Sequence, residues 1–408
     1  MEHLSAIENL RTLSLAESLT KHPDLNWRVS AVQAIKYNVT LSRGLFEPSN
    51  ATLAHGCGAG GARPVRRLVV IDAVVHELYG DKIQAYFDAW NIVAEWKIMR
   101  GHESSKTMEQ ALEVSEAMTA AGLLRRNEVV IVIGGGVLMD IVGFAASLYR
   151  RGIPYIRVPT TLMGQIDAGI GIKTGVNHGY HKNRLGTYCA PEAAYIDPVF
   201  LQTLEQRHIA NGVSEIIKMA LIKDRALFEL LEEMAGQLDA DTFATNHPKV
   251  SEILSRAIAG MLAELEPNLW EDTLERSVDY GHTFSPSLEL RADPELLHGE
   301  AVAVDMALSV ALALGRGLLD RAEAERAIKL IARAGLPIFH PTFTTELVVG
   351  ALQDTIKHRD GLQRVPLTRG IGQATFVNDL EERELASAID YLRTHPAAGV
   401  FAAETVDG

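Results

Sequence analysis

The sequence predicts an α/β fold, with a doubly wound, mostly parallel sheet in the N-terminal half and a mainly helical C-terminal half. Before residue 200, short apolar runs such as 67–72 and 128–133 alternate with segments of helical period, which is typical of buried parallel strands joined by helices. After residue 200, long helical periods dominate. A chain of 408 residues also exceeds one ordinary core, so we expect two domains, 1–200 and 201–408.

The individual elements are predicted in order from the same periods. Residues 1–25 are typical of a helical or frayed lead-in, the alternation over 27–41 favours strands, and the glycine- and alanine-rich stretch 49–63 favours a loop. Apolar runs predict strands over 67–72, 92–98, 128–133 and 155–158, with helices over 73–90, 106–124 and 137–149 between them. Later periods predict helices over 212–231, 249–265, 299–316 and 320–334, and a loose tail over 395–408.

Composition disfavours several classes of protein. The formal net charge is −13, whereas a nucleic-acid or anionic membrane surface would require a basic face. The N-terminus lacks the apolar core of a signal peptide, and no run approaches the ~20 apolar residues of a membrane span. The two cysteines, Cys57 and Cys189, do not form a disulfide framework, so we expect a reducing cytoplasm.

A strand that runs into a glycine turn is the strongest local motif. Apolar residues 129–133 precede three glycines at 134–136, and a helical period follows. Glycines let the backbone approach a pyrophosphate, and the helix N-terminus offers free N–H groups. Asp72 ends another predicted strand, where a carboxylate can accept hydrogen bonds from a ribose. Together these features favour a dinucleotide, although a tight turn and a helix cap are the ordinary alternatives.

One carboxylate and two imidazoles, from Glu215, His282 and His298, make a candidate metal site. This set suits a divalent transition metal with positions left for substrate hydroxyls. No HExxH motif supports it, and a lone histidine in a helical domain is more often structural. Glu215 and Lys218 share a helix face because they are three residues apart, and a surface ion pair is the alternative there.

Residues 167–186 carry a cluster of cations and amides among glycines, without strong periodicity. In an otherwise acidic protein, such a cluster favours a phosphate-binding cradle. A solvated basic loop is the alternative. The residues concerned are Lys173, Asn177, Lys182, Asn183 and Arg184.

Taken in order and spacing, these motifs resemble the dehydroquinate synthase superfamily of sugar phosphate cyclases, over roughly residues 65–390. The motifs are numerous and collinear, so the resemblance is specific. They comprise the glycines 134–136 with Asp140, Tyr149-Arg150-Arg151, Val158-Pro159-Thr160-Thr161-Leu162, Asp167, Lys173, Asn177, Lys182-Asn183, Glu215 with Lys218, Gly281-His282-Thr283 and His298-Gly299-Glu300.

The resemblance implies a Rossmann-like NAD-binding N-terminal domain and a mainly helical metal-binding C-terminal domain. It implies one divalent ion, Zn or Co, held by Glu215, His282 and His298. The residues it implies for the NAD site are Asp72, Glu103, Lys106, Gly135, Gly136, Val137, Asp140, Thr160, Thr161, Lys173, Lys182 and Thr203. Those it implies around the substrate are Asp167, Lys173, Lys182, Asn183 and Lys218, and Arg151 matches an arginine that reaches the neighbouring subunit, which implies a homodimer.

The chain departs from dehydroquinate synthases at positions that bind the substrate carboxylate. Glu275 and Met261 stand where that group has an arginine and a lysine, Asp279 replaces an asparagine, and Pro286 replaces a histidine. A carboxylate opposite a glutamate and a thioether would be repelled and left unpaired, which discriminates strongly against it. We therefore expect a substrate without the carboxylate.

A closer resemblance is to the branch that forms C7 cyclitols from sedoheptulose 7-phosphate, the 2-epi-5-epi-valiolone synthases. Asp279 together with His358 favours this branch, since the sister desmethyl-4-deoxygadusol (gadusol-type) synthases tend to have alanine and threonine there. The implied reaction is transient oxidation by NAD, phosphate elimination, re-reduction, ring opening and intramolecular aldol closure. Alternatives are a gadusol-type or 2-epi-valiolone synthase, a dehydroquinate synthase, an amino- or deoxy-inosose synthase, a metal-dependent NAD polyol dehydrogenase, or a non-catalytic binding protein.

Overall fold

The computed structural model describes residues 29–179 and 181–399. The chain divides into two compact units, Met1–Lys36 and Tyr37–Gly408. In the first, residues 29–36 are largely exposed and have no regular secondary structure. Most of the strand expected over 27–41 is therefore absent from the described residues, and only its end forms a strand. The lead-in expected over 1–25 lies outside the described residues.

Six parallel strands form the main sheet, in the order β1-β8-β5-β4-β2-β3. Every neighbouring pair is parallel, as the buried apolar runs predicted. In chain order the strands are β1 (Asn38–Leu41), β2 (Val65–Asp72), β3 (Ile92–Met99), β4 (Val130–Gly134), β5 (Tyr155–Pro159), β6 (Lys173–His178), β7 (His181–Tyr188) and β8 (Ala193–Ile196), of which β6 and β7 lie outside this sheet.

Helices cover both faces of this sheet, which makes it doubly wound. Successive strand residues point to opposite faces, so Val70 and Val132 pack with one helical layer while Val69 and Ile131 pack with the other. The helices are α1 (Thr52–Gly56), α2 (Ala73–Ala89), α3 (Met108–Ala120) and α4 (Gly136–Leu148). The short helix α1 lies inside the stretch 49–63 that was expected to be a loop, so that expectation was wrong in part.

Strands β6 and β7 form an antiparallel hairpin where the sequence showed no clear period. Gly175 and Gly186 pair across it, and a Cβ on Gly175 would lie 2.6 Å from the carbonyl oxygen of Leu185. The backbones can therefore approach only because both residues lack side chains. Glycines in the strands hide the alternation on which sequence reasoning depends.

The C-terminal half is mainly helical, as expected. The helix predicted over 212–231 is in fact two helices, because Asp224 accepts a hydrogen bond from Leu227 N and starts a new one. The elements are α5 (Gln206–Ile222), α6 (Arg225–Met234), α7 (Ala240–Ala244), α8 (Pro248–Leu265), α9 (Ser285–Glu289), α10 (His298–Gly315), α11 (Arg321–Arg333), α12 (Thr345–His358), the hairpin β9 (Val365–Thr368) and β10 (Ala374–Val377), and α13 (Glu382–Thr394).

Helix α10 runs through the core of this half. By length and composition it could cross a membrane, but 83% of its apolar stretch is buried inside the protein, as in the core helix of a folded domain. The parallel sheet ends at Ile196, the first long C-terminal helix begins at Gln206 and Tyr37–Gly408 is one compact unit. The domain boundary at residue 200 therefore stays a prediction.

Candidate active site

Glu215, His282 and His298 come together between α5, the loop before α9 and the first turn of α10. One potential ligand atom from each lies within 4.8 Å of the others. His282 Nε2 is 3.3 Å from His298 Nε2 and 3.7 Å from Glu215 Oε1. The structure thus brings together the three residues that sequence comparison grouped as metal ligands.

The chemistry of these three side chains fits a divalent metal ion. Both histidines direct Nδ1 at an acceptor, His282 to the Tyr280 carbonyl (3.1 Å) and His298 to Glu289 (3.2 Å), which leaves the two Nε2 atoms facing each other. Burial, with Lys218 and His298 nearby, holds the pKa of His282 well below its usual value, so its ring is neutral. Glu215 is fully buried; its Oε2 is paired with Lys218, while its Oε1 has no hydrogen-bond partner among the described residues.

Lys218 lies beside this cluster as a buried cation. Its ammonium group forms an ion pair with Glu215 Oε2, and both side chains are inaccessible to solvent. The pairing expected from their spacing is present, but it is buried rather than on the surface. Burial alone would lower the pKa of Lys218, yet the carboxylates of Glu215 and Asp167 outweigh it and raise the pKa above its usual value.

The residues predicted to bind a dinucleotide lie at the carboxyl ends of neighbouring strands. Asp72 ends β2, Gly135 follows β4, and Thr160 follows β5, which is the edge where open α/β sheets bind ligands. The Asp72 carboxylate caps α2 by accepting a hydrogen bond from Val74 N (2.9 Å), and it accepts a second one from Gly101 N (2.9 Å). The helix-cap alternative is therefore present, and the ribose contact stays a prediction. Gly136 and Val137 open α4, Thr161 Oγ1 accepts Gly164 N, and Thr203 lies 3.2 Å from the Tyr79 hydroxyl.

A polar network connects this edge with the β6–β7 hairpin. Buried Lys106 contacts Asp140 (2.6 Å) and Asn183 Oδ1 (2.5 Å). The backbone N–H of Asn183 donates to Asn177 Oδ1 (2.8 Å), and the side-chain amide of Asn177 donates to Glu103 Oε1 (2.9 Å). Burial raises the pKa of Asp140, opposed by the charge of Lys106. The residues predicted for the cofactor and for the substrate therefore form one hydrogen-bonded layer.

The cations of the predicted phosphate cradle are paired with carboxylates of the helical half. Lys182 Nζ lies 2.5 Å from Glu289 Oε1, and Lys173 forms an ion pair with Glu271. Arg184 is exposed. At Lys173 and Lys182, an incoming anion would therefore have to displace a carboxylate.

Asp279 is held by two arginines that the sequence did not single out. Arg276 Nη2 lies 3.0 Å from one carboxylate oxygen, and Arg359 Nη2 lies 3.2 Å from the other. His358 is exposed at the end of α12, and its side chain makes no hydrogen bond within the described chain. The structure thus pairs Asp279 with Arg359 and not with the neighbouring His358.

The positions used to argue against a substrate carboxylate have different surroundings from those expected. Met261 is buried in the helical core and Glu275 is exposed. The neighbouring Arg276, only 16% exposed, is one of the two arginines that face Asp279. The argument from a repulsive Glu275 is therefore weakened, because an exposed carboxylate is screened by water.

A fully buried arginine in β5, Arg157, anchors the segment that carries Asp167 and Lys173. Its guanidinium donates to the carbonyl oxygens of Gly171 (2.5 Å), Ala168 (3.3 Å) and Lys173 (3.3 Å). It forms no ion pair with another described residue, and isolated buried cations are costly. A charged residue inside an apolar strand was the available signal in the sequence.

Arg151 lies apart from these clusters, on the surface after α4. Its side chain is exposed, its backbone has a left-handed φ of 64°, and it forms no ion pair with any described residue. The structure therefore leaves its guanidinium accessible from outside the chain.

Comparison with known proteins identifies relatives over most of the chain. The family model of the 3-dehydroquinate synthase N-terminal domain matches residues 96–211, and that of the C-terminal domain matches residues 212–358. A 2-epi-5-epi-valiolone synthase of an Actinomyces species is 50% identical over 371 residues, which are 90% of this chain and 97% of the relative. A demethyl-4-deoxygadusol synthase of Trichormus variabilis is 38% identical, over 92% of each chain.

The fold is also similar to that of a solved relative. The 2-epi-5-epi-valiolone synthase of Streptomyces hygroscopicus subsp. jinggangensis, whose structure contains NAD+ and Zn2+, is 51% identical. It superposes with a TM-score of 0.84 over 90% of this chain and 99% of that one.

Proposed function

This chain belongs to the 3-dehydroquinate synthase family, and on that premise we propose that it is a sugar phosphate cyclase of the 2-epi-5-epi-valiolone synthase type. It converts sedoheptulose 7-phosphate to 2-epi-5-epi-valiolone and releases phosphate, which makes it a carbon–oxygen lyase. The observation that carries this proposal is the 50% identity, over 90% of the chain, to an enzyme of that name.

The proposed cofactors are NAD, at the carboxyl edge of the sheet, and one divalent ion, Zn or Co, between Glu215, His282 and His298. When bound, NAD supplies an acceptor and donor of hydride, and the metal supplies a Lewis acid for a substrate hydroxyl. The buried Oε1 of Glu215, which has no hydrogen-bond partner among the described residues, and the Nε2 atoms of His282 and His298, which lie 3.3 Å apart, support the metal.

The phosphate is bound by Lys173, Lys182 and Asn183 in this proposal. Lys182 Nζ leaves Glu289 for a phosphate oxygen, which replaces one charge-assisted contact by another. Asn183 is fixed by the Lys106 ammonium at 2.5 Å, so its amide is positioned before substrate arrives. These contacts stabilise the negative charge that grows on the phosphate as it is eliminated.

Lys218 and Asp167 orient the hydroxyls of the substrate and manage its protons. The Lys218 ammonium is buried and cationic next to Glu215, so it donates hydrogen bonds to an oxygen bound beside the metal ligands. Asp167 offers a carboxylate that accepts a hydroxyl proton. The enclosed position of Lys218 excludes water from this proton transfer.

Asp279 supports the valiolone branch over the gadusol-type alternative. Its carboxylate is held by Arg276 and Arg359 at 3.0 and 3.2 Å, so it is oriented before the ring closes. An alanine there would leave both guanidinium groups without this partner. His358, whose exposed side chain forms no hydrogen bond with Asp279, is proposed to help set the geometry of ring closure. A 2-epi-valiolone product would need only one rotated hydroxyl, so it is distinguished by product analysis.

A homodimer in the cytoplasm completes the proposal. The exposed Arg151, which forms no ion pair within the described part of the chain, supports a contact with the phosphate site of a second subunit. The two free thiols among the described residues, Cys57 and Cys189, support a reducing compartment.

The test is incubation of the purified protein with NAD, Co2+ or Zn2+ and sedoheptulose 7-phosphate, with phosphate release, NADH absorbance and product NMR followed together. We expect phosphate release without accumulation of NADH, and a valiolone-type product. NADH accumulation without phosphate would make the protein a polyol dehydrogenase. A gadusol-type product would overturn the branch, and turnover of a heptulosonate phosphate instead would make it a dehydroquinate synthase.

A further inference from the structure

Glu289 lies between the candidate metal site and the candidate phosphate site, and the sequence comparison gave it no role. It ends α9, and its side chain is 12% exposed. Oε2 lies 3.2 Å from His298 Nδ1, while Oε1 lies 2.5 Å from Lys182 Nζ. A single carboxylate therefore connects a residue of the α10 helix with a residue of the β7 strand.

Each of the two contacts has a chemical consequence. Because the His298 Nδ1–H donates to a carboxylate, the proton stays on Nδ1, and the lone pair of Nε2 is directed toward His282 and Glu215. A carboxylate partner also makes the imidazole a stronger ligand. The other oxygen holds the Lys182 ammonium where an anion can take it over.

We propose that Glu289 is a positioning residue that couples metal binding at His298 to anion binding at Lys182. This inference rests on the proposed function, which supplies both ligands. A metal ion on His298 polarises its N–H and draws the charge of Glu289 toward Oε2. The ion pair between Oε1 and the Lys182 ammonium therefore weakens, and the ammonium becomes available to phosphate. By linkage, an anion on Lys182 strengthens metal binding by the same factor.

The coupling explains why Lys182, a half-buried lysine proposed to bind phosphate, is paired with a carboxylate beforehand. A free carboxylate next to the anion site repels phosphate, and its repulsion falls when the metal is in place. The site therefore accepts the phosphorylated substrate best when the ion is bound, so that metal and substrate occupy it together.

The experiment compares wild type, Glu289→Gln and Glu295→Gln as purified, metal-stripped full-length chains. Glu295 is exposed and three residues from His298, and within the described chain only its backbone carbonyl is hydrogen-bonded, to Arg207, so it is a matched control. Co2+ affinity is measured by chelator competition and by the Co2+ absorption spectrum. The affinity of inorganic phosphate is measured by calorimetry with and without Co2+.

We expect E289Q to bind Co2+ roughly 10- to 100-fold more weakly, the range found for partners of ligating histidines, while E295Q matches wild type. Without metal, E289Q should bind phosphate at least as tightly as wild type, because a repelling charge is gone. Addition of Co2+ should then tighten phosphate binding less in E289Q than in wild type.

Two results would overturn the proposal. Equal Co2+ affinity in E289Q and wild type removes the role at His298. Loss of both Co2+ and metal-free phosphate binding in E289Q means that the residue is merely structural. A wild-type chain that binds no Co2+ is a different failure, because it overturns the proposed function together with the coupling.

Discussion

Replacement of Gly299 by alanine should separate the two helices that hold the metal ligands. Gly299 follows His298 in the first turn of α10 and packs against α5, which carries Glu215. A Cβ at this position would lie 2.1 Å from the Asn211 carbonyl oxygen and 2.4 Å from Ser214 Oγ. The carbonyl belongs to the backbone of α5, so the contact cannot be relieved by rotation of a side chain.

The size of the effect follows from that distance. The Cβ must move from 2.1 Å to at least 3.4 Å, a shift of about 1.3 Å, to reach ordinary van der Waals separation, whereas metal–ligand distances tolerate only about 0.2 Å. We therefore expect G299A to weaken Co2+ binding at least about tenfold, equivalent to ~1.4 kcal/mol. Crowding of a packed interior should also lower the free energy of unfolding by about 1–3 kcal/mol.

The assay combines denaturant unfolding of the metal-free chain with Co2+ affinity by chelator competition. At Gly315, the last residue of the same helix, an added Cβ would have no described atom within 4 Å apart from the backbone of its own helix. G315A is therefore the control, and it should be neutral or stabilising by about 0.5 kcal/mol. If G299A binds Co2+ as tightly as G315A does, the reasoning from helix separation is wrong.

Three further changes test other parts of the site. His282→Ala should lose both bound metal and turnover, and retained metal with full activity would contradict the ligand assignment. Lys182→Ala should raise KM or lower kcat by about 10- to 100-fold, since a hydrogen bond to a charged group contributes ~1.5–3 kcal/mol. Replacement of the exposed Lys357 by alanine is the control. Equal kinetics of the two variants would exclude Lys182 as a phosphate ligand. Burial raises the pKa of Asp305 from 3.8 to about 6, so the folded state binds the proton more tightly. The free energy of unfolding of wild type relative to D305N should therefore fall by up to about 3 kcal/mol as pH rises from about 4 to about 6, and parallel pH curves in denaturant titrations would refute this.

Much of the fold could be predicted because its signals are local. The strands over 65–72 and 130–134 are apolar runs that end at a carboxylate or a glycine turn, and the helices over 248–265 and 321–333 repeat their apolar residues at helical spacing. Such patterns depend only on neighbours in sequence. The same reasoning did not predict the glycine-containing strands β6 and β7, and it did not predict the interruption of the helix at Asp224.

The sequence by itself determined the α/β and helical halves, the glycine turn of the predicted dinucleotide site, and the identity of Glu215, His282 and His298 as a group. Only the tertiary structure decided which charges meet. The fold places Glu289 in contact with both His298 and Lys182, and it pairs Asp279 with Arg359 rather than with His358. It also leaves the side chain of Glu275 exposed to solvent. The physical reason is that ion pairs and hydrogen bonds act over about 3 Å between groups distant in sequence. Their partners are therefore set by how helices and strands pack, which no local pattern records.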